Sequence, residues 1–318
     1  MLSDEILQSS KMLPLAGSES CHVYQSRNET GEGTMTIYDL FPGVMLAYND
    51  YHMAHFDSEF ISGDDLFCID HCREGRLEYP APRHAGSAYG YVAAGDLKLD
   101  RRLQHTGHFE FPLRHYHGIT IGLTLPQGAK ALPEAFRDFP VDLYRLKEKY
   151  CADGLPRVLH GAPSIDHIFA ELYAVPERIK MPYFKLKVLE LLLYLDALEL
   201  PKTPEEPAYF YRGQVEKVKA IERMMTAHPE HRYTLEELAE RYDLPLTALK
   251  ACFKSVFGSP VNAYMRVYRM NLAAPLLRGR GANVAEIAGR VGYDSPSKFA
   301  AAFRDVMGVT PTEYRKNL

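Results

Sequence analysis

Between about residues 33 and 125 the chain alternates apolar and polar positions in short runs broken by Gly and Pro. Met35-Thr-Ile-Tyr-Asp39 leads to a Phe41-Pro-Gly43 turn and then to Val44-Met-Leu-Ala-Tyr-Asn-Asp-Tyr-His52. Leu66-Phe-Cys-Ile-Asp70 runs to an expected turn at Arg73-Glu-Gly-Arg76, and Gly95-Asp96 marks another. The longest alternation is at 109–121, where Phe109, Phe111, Leu113, His115, His117, Ile119 and Ile121 share one parity. A period of two predicts strands, and several short strands with Gly/Pro turns predict a small barrel or sandwich.

From Pro133 to about Leu200 the pattern turns helical. Segments are expected at Pro133-Glu-Ala-Phe-Arg, at Ser164–Tyr173 and at Pro182–Leu198. The last is apolar over most of its circumference and needs cover on more than one side, from the chain itself or from a second copy. Pro201-Lys-Thr-Pro-Glu-Glu-Pro207 then breaks any helix and reads as a linker.

Past the linker lies an internal repeat. Glu237-Leu-Ala-Glu-Arg241 precedes Phe253-Lys-Ser-Val-Phe-Gly258, and Glu286-Ile-Ala-Gly-Arg290 precedes Phe303-Arg-Asp-Val-Met-Gly308. Thr234 with Glu237, and Asn283 with Glu286, are capping pairs that open a helix. Tyr242-Asp-Leu244 and Val291-Gly-Tyr293 are the turns, with Gly292 free to take a left-handed conformation, and Thr310-Pro311 opens a last helix. Helix, tight turn and helix make a unit whose second helix enters the DNA major groove. Helical phase turns Leu249, Phe253 and Val256 inward in the first copy, and Phe299, Ala302, Phe303 and Val306 in the second. Thr247, Lys250, Ala251 and Lys254 are left outward, as are Ser297, Lys298, Ala301 and Arg304. Small, hydroxyl and cationic side chains suit a groove-entering face.

Charge sharpens that reading. The chain carries a net −4, yet residues 209–318 hold 17 Lys/Arg against 11 Asp/Glu, so a basic end of +6 follows a front of −10. Only the C-terminal part is expected to meet a polyanion. The 318 residues, 46 % hydrophobic and 25 % charged, exclude disordered, collagen-like and membrane-embedded classes. No apolar run approaches the roughly 18–20 residues of a spanning helix. With no secretory start at Met1-Leu-Ser-Asp-Glu, the expected location is the cytoplasm, with no membrane partner. Five cysteines without a CxxC pair argue against a disulfide framework or a Cys-rich zinc site. Cys68 and Cys72, four apart, are weighed as a redox pair against ordinary buried thiols.

The C-terminal hundred residues resemble the DNA-binding domain of the AraC/XylS family. The resemblance is carried by Thr234-Leu-Glu-Glu-Leu-Ala239, Leu249, Phe253-Lys254 and Gly258-Ser-Pro260. It continues through Val284-Ala-Glu-Ile-Ala288, Val291-Gly-Tyr-Asp-Ser-Pro-Ser297, Phe299, Phe303-Arg304, Gly308-Val-Thr-Pro311 and Tyr314-Arg315. It implies two helix-turn-helix units bridged by a helix near Tyr264–Leu277, reading adjacent major-groove segments. Ala251 and Ala301 stand where many members carry longer side chains, which shifts readout toward thymine methyls and DNA shape. Pro275 falls inside the bridging helix. The resemblance further implies an N-terminal cupin-like β-barrel and dimerising helices.

The expected architecture is therefore α+β: a cupin-like barrel over 1–130, a helical linker and dimerisation region over 131–208, and a DNA-binding domain over 209–318. If 109–121 is one strand, His115 and His117 point into the barrel. Tyr48 and His52 share parity with Val44 and Leu46 and are expected there too, while Arg73 offers a clamp for an anion. His-x-His is a metal-ligand spacing, but no carboxylate follows at the usual interval, so no metal and no cofactor are expected. A metal-dependent oxygenase is weighed and set aside, for want of any catalytic motif beside the fused DNA-reading repeat. The expected function is a small-molecule-responsive, dimeric transcription activator acting with RNA polymerase on double-stranded DNA. A repressor, or a ligand-independent regulator with a structural barrel, is the alternative.

Overall fold

The computed structural model describes residues 12–57, 65–81, 87–102, 108–161, 163–200, 208–279 and 281–316. The expected linker at 201–207 lies outside them. The chain divides into two compact units, Met1–Tyr209 and Phe210–Leu318, and its class is α+β.

The first unit is a curled antiparallel half-barrel under a layer of helices. Its strands are β1 (Leu13–Gly17), β2 (Cys21–Asn28), β3 (Gly31–Phe41), β4 (Val44–His52), β5 (His55–Asp57) and β6 (Leu66–Pro80). They are followed by β7 (Ala88–Ala93), β8 (Asp96–Arg101), β9 (His108–Glu110), β10 (Tyr116–Thr124) and β11 (Arg157–His160). The hydrogen-bonded order runs β1-β2-β3-β4-β10-β6. The long β6 then pairs with β8 over Phe67–His71 and with β7 over Arg76–Pro80. The helices are α1 (Leu125–Ala135), α2 (Leu143–Cys151), α3 (Pro163–Leu172) and α4 (Lys180–Ala197).

Both faces of the central strands are buried, which is why β4 opens with the unbroken apolar run Val44-Met-Leu-Ala47. Leu46, Ile119, Ile121 and Leu123 meet Phe169, Leu172, Phe184, Val188 and Leu191 of α3 and α4. Met45, Ala47, Tyr51, Cys68, Phe111 and Tyr116 form a second cluster on the opposite face. Register keeps the two sets apart: Ile119 lies opposite Tyr48 and Ile121 opposite Leu46, with Thr120 opposite Ala47 between them.

Four expectations need correction. Strand structure begins at Leu13, not near 33. β1 is exposed throughout and so carries no alternation to read, as befits an edge strand. Arg73-Glu-Gly-Arg76 is no turn. β6 runs through it, absorbing one extra residue where its register with β10 shifts between His117 and Gly118, a bulge eased by Gly75 at φ 87°. The 109–121 alternation is two strands separated by a turn. Pro112 has no N–H for a ladder, Arg114 is left-handed at φ 58°, and its N–H donates to the Phe111 carbonyl at 2.8 Å. Helix begins at Leu125, with a Pro in its first turn where the missing N–H costs nothing, so the expected boundary after residue 130 falls inside α1.

The second unit is all-helical: α5 (Arg212–Ala227), α6 (Leu235–Arg241), α7 (Leu246–Phe257), α8 (Val261–Arg278), α9 (Val284–Arg290), α10 (Pro296–Met307) and α11 (Pro311–Lys316). Full capping boxes open α6 at Thr234/Glu237 and α9 at Asn283/Glu286. Gly258 and Gly308 end α7 and α10 in the left-handed conformation, each N–H returning to the carbonyl four residues back at 2.9 Å. α8 spans both copies and continues through Pro275 to Arg278. Phe299, Phe303, Ile287 and Val291 pack on Met270, Ala273 and Leu277 of α8, and Phe253 meets Tyr264 of the same helix edge-on at 5.6 Å.

Candidate nucleic-acid interface

The outward faces of α7 and α10 follow from which residues the core claims. Leu249, Cys252, Phe253, Val256 and Phe257 are buried on α7, and Phe299, Ala302 and Phe303 on α10, with Val306 half-buried. What remains is exposed: Thr247, Lys250, Ala251 and Lys254 on the first helix, Ser297, Lys298, Ala301 and Arg304 on the second. Three pairs hold matching places, each member 50 positions after its counterpart: Thr247 with Ser297, Ala251 with Ala301, and Lys254 with Arg304. Each helix thus presents a hydroxyl near its start, a methyl in the middle and a cation near its end. Such a face can bond base edges, rest on thymine methyls and bind phosphate.

The turn before α10 is built to hold it. Gly292 sits at φ 80°, and a Cβ there would lie 2.8 Å from the Pro229 carbonyl oxygen. Arg232 Nε donates to the Gly292 carbonyl at 2.8 Å, and its guanidinium lies 5.1 Å from the Tyr293 ring centre. An open groove of about 410 Å³ between the two copies is lined by Arg232, Arg266, Arg269 and Lys298. Sequence reasoning missed this groove because its cations come from three separated segments. Arg269 is occupied by the Pro229 and His231 carbonyls, whereas Arg266 is exposed, with Asp305 3.9 Å away.

In the first unit a cavity of about 80 Å³ lies on the sheet face away from the helices. Its walls are apolar and aromatic, among them Met35, Met45, Tyr51, Phe111 and Tyr116. Tyr51 stacks on Phe56 and Phe111, both at 5.2 Å, and its buried hydroxyl has no hydrogen-bond partner among the described residues. The polar end is a closed network: Asn49 donates to Thr120 at 2.9 Å, Thr120 to Asp70 at 2.7 Å, and Arg102 to Asp70 at 2.5 Å. Burial pushes the Asp70 carboxyl up, but Arg102, Lys98 and the Thr120 hydroxyl outweigh it and hold Asp70 well below the usual carboxylate range.

None of the five residues expected to line that space borders it. After the 111–115 turn the strand resumes in the opposite phase, so Tyr116 and Thr120 face the cavity while His117 joins Ile119 on the other side. Tyr48 is on the helix side and donates to the Leu172 carbonyl at 2.5 Å. The Arg73 guanidinium lies 4.5 Å from the Tyr173 ring centre. His115 Nδ1 bonds the Leu113 carbonyl at 3.0 Å. His52 and His117 meet at the surface, 3.3 Å apart through their Nε2 atoms, and the carboxylate missing from the His-x-His spacing arrives from β4 as Asp50. Cys68 and Cys72 both lie in β6 and not at a turn, and burial pushes each thiol up to about 12, which disfavours the thiolate.

Two helix-turn-helix units on a shared helix define a class of DNA-binding protein. Residues 238–317 match the helix-turn-helix domain family. A protein of Streptomyces antibioticus described as an AraC-like transcription regulator is 30 % identical over 175 residues, 52 % of this chain and 58 % of its own length. The HTH-type transcriptional activator RhaR of Mannheimia succiniciproducens is 27 % identical over 111 residues, 35 % of this chain and 39 % of its own. Among solved structures, the C-terminal domain of AraT, a response regulator from Geobacillus stearothermophilus, is 32 % identical, covering 32 % of this chain and 85 % of that one at a TM-score of 0.31. The C-terminal unit carries a helix-turn-helix domain of the AraC type. The chain spans 58 % of the Streptomyces relative and 39 % of RhaR. Among the described residues no helix is long and apolar enough to cross a membrane.

Proposed function

We propose that this chain is a transcription regulator that reads double-stranded DNA with α7 and α10 and takes a small-molecule effector into its half-barrel. The observation that carries the reading is the pair of outward faces, matched at three places on each helix, on a basic unit joined to an acidic one. Lys250, Lys254, Lys298 and Arg304 contact phosphates or bases, and Thr247, Ser297, Ala251 and Ala301 lie against base edges. The effector space is the cavity beside Tyr51 and Thr120, whose unpartnered phenol and aromatic walls suit a small, mostly apolar molecule with one polar group. Effector binding shifts the regulator only if it favours one of two arrangements. The named activator among the relatives supports activation, with RNA polymerase as the further partner. The exposed side of α4, with Leu186, Leu193 and Tyr194, supports pairing of two copies.

The test begins with selection of bound duplexes from a random pool, followed by affinity measurements on the winner. Lys250→Ala and Arg304→Ala are each expected to weaken specific binding by about 1–3 kcal/mol, and binding is expected to fall steeply with salt. Unchanged affinity in both variants, for selected and competitor DNA alike, overturns the assignment of these helices.

A further inference from the structure

We propose that Asp50, His52 and His117 form a binding site for a divalent transition-metal ion of the zinc type on the outer sheet face of the first unit. The site follows from strand register. Asp50 on β4 lies directly opposite His117 on β10, and His52, two residues further along β4, falls on the same face. His52 Nε2 and His117 Nε2 lie 3.0 and 3.1 Å from the same oxygen, Asp50 Oδ1, and 3.3 Å from each other. Ligands bonded to one zinc-sized ion at about 2.0–2.2 Å and near 90–110° to one another stand about 2.9–3.4 Å apart. The triangle has those sides.

The arrangement fits a cation better than a plain hydrogen-bond cluster. Two neutral imidazoles can each donate from Nε2 to the one carboxylate oxygen only by placing their N–H dipoles side by side. A cation between the three atoms accepts a lone pair from each. A contrasting cluster shows the ordinary alternative: His108 gives Nδ1 to Asp57 at 2.7 Å and Nε2 to Glu110 at 3.4 Å, so opposite edges of one ring are used and nothing converges. Two nitrogens and one oxygen suit Zn²⁺ and its neighbours Co²⁺, Ni²⁺ and Cu²⁺, and not Mg²⁺ or Ca²⁺, which take oxygen.

The surroundings are open to an ion. On the far side of His117, Glu74 of β6 holds the paired position, with Oε2 3.9 Å from His117 Nδ1, an ionic approach beyond hydrogen-bond distance. Glu32 of β3 lies opposite His52, its carboxylate ion-paired to Arg27 at 2.9 Å. The Asp50 and His52 side chains are 55 % and 61 % exposed, so an ion can enter and keep water in its remaining positions.

The experiment uses the full chain, stripped with chelator and dialysed, with Zn²⁺ titrated by calorimetry and Co²⁺ followed by its visible d–d absorption. One equivalent of Zn²⁺ is expected, with Mg²⁺ not competing. His52→Ala, His117→Ala and the size-preserving Asp50→Asn should each weaken Zn²⁺ binding at least tenfold and remove the Co²⁺ band, while far-UV circular dichroism stays native. His108→Ala should leave both readouts unchanged. Zn²⁺ binding by the parent chain no tighter than by the His52 and His117 variants overturns the proposal, as does equal loss in the His108 variant. The outcome is independent of DNA binding.

Discussion

His71 lies between the sheet and α3, its ring stacked on Phe169 at 4.1 Å and nearly parallel to it, with Nδ1 buried and without a hydrogen-bond partner among the described residues. Burial pushes its pKa down to about 4. The unfolded chain takes up that proton near 6.5, the folded chain not until about 4, so between those values the unfolded state binds more protons. Stability should therefore fall as pH drops from about 6.5 to about 4, by up to roughly 3 kcal/mol from this residue. Urea unfolding followed by circular dichroism, at pH 7 and pH 4.5, should show a smaller loss for His71→Phe than for the parent chain. Identical losses would exclude the histidine as the source. Nothing in the local sequence singles out His71, because its cover comes from Phe169, ninety-eight residues away along the chain.

At the scale of elements, the turns between the paired helices decide whether the second helix of each pair is presented. Gly292 combines a positive φ with the Pro229 carbonyl 2.8 Å from where a Cβ would stand. Gly292→Ala should cost the second unit about 1–3 kcal/mol and lower DNA affinity with it. Gly213→Ala in α5, where a Cβ meets nothing within 4 Å, should be neutral or slightly stabilising. Thermal unfolding of the two variants separates the cases, and an equally mild effect at Gly292 would refute the steric account. These helices were legible in the sequence because capping boxes, helix-ending glycines and the 3.6-residue period are all local. The 109–121 alternation does not mark one strand, because parity survives only while the backbone stays extended, and Pro112 with Arg114 interrupts it.

At the scale of the molecule, α4 joins the two themes of burial and association. Phe184, Val188, Leu191, Leu192 and Leu195 are fully buried against the sheet, while Leu186 stays 63 % exposed and Leu193 and Tyr194 41 % exposed. If a second copy covers that side, Leu186→Glu with Leu193→Glu should yield monomers in sedimentation velocity at concentrations where the parent chain is dimeric. A parent chain that is already monomeric would remove α4 as a dimer contact. The circumference of this helix showed that it needed two kinds of cover, and the fold supplies one of them.

By itself the sequence determined what is written in short-range chemistry: the two capped helix pairs, the split of α7 and α10 into core and outward residues, the charge asymmetry and the class of protein these imply. The tertiary structure alone decided which face of the sheet the helices cover and which encloses the cavity, since both faces of β4 and β10 are buried and a one-residue shift in phase exchanges them. It also decided the company of each polar side chain. His117 was expected inside a barrel beside His115, and it stands at the surface with a carboxylate from the neighbouring strand, because long-range register, not spacing along the chain, sets which side chains meet.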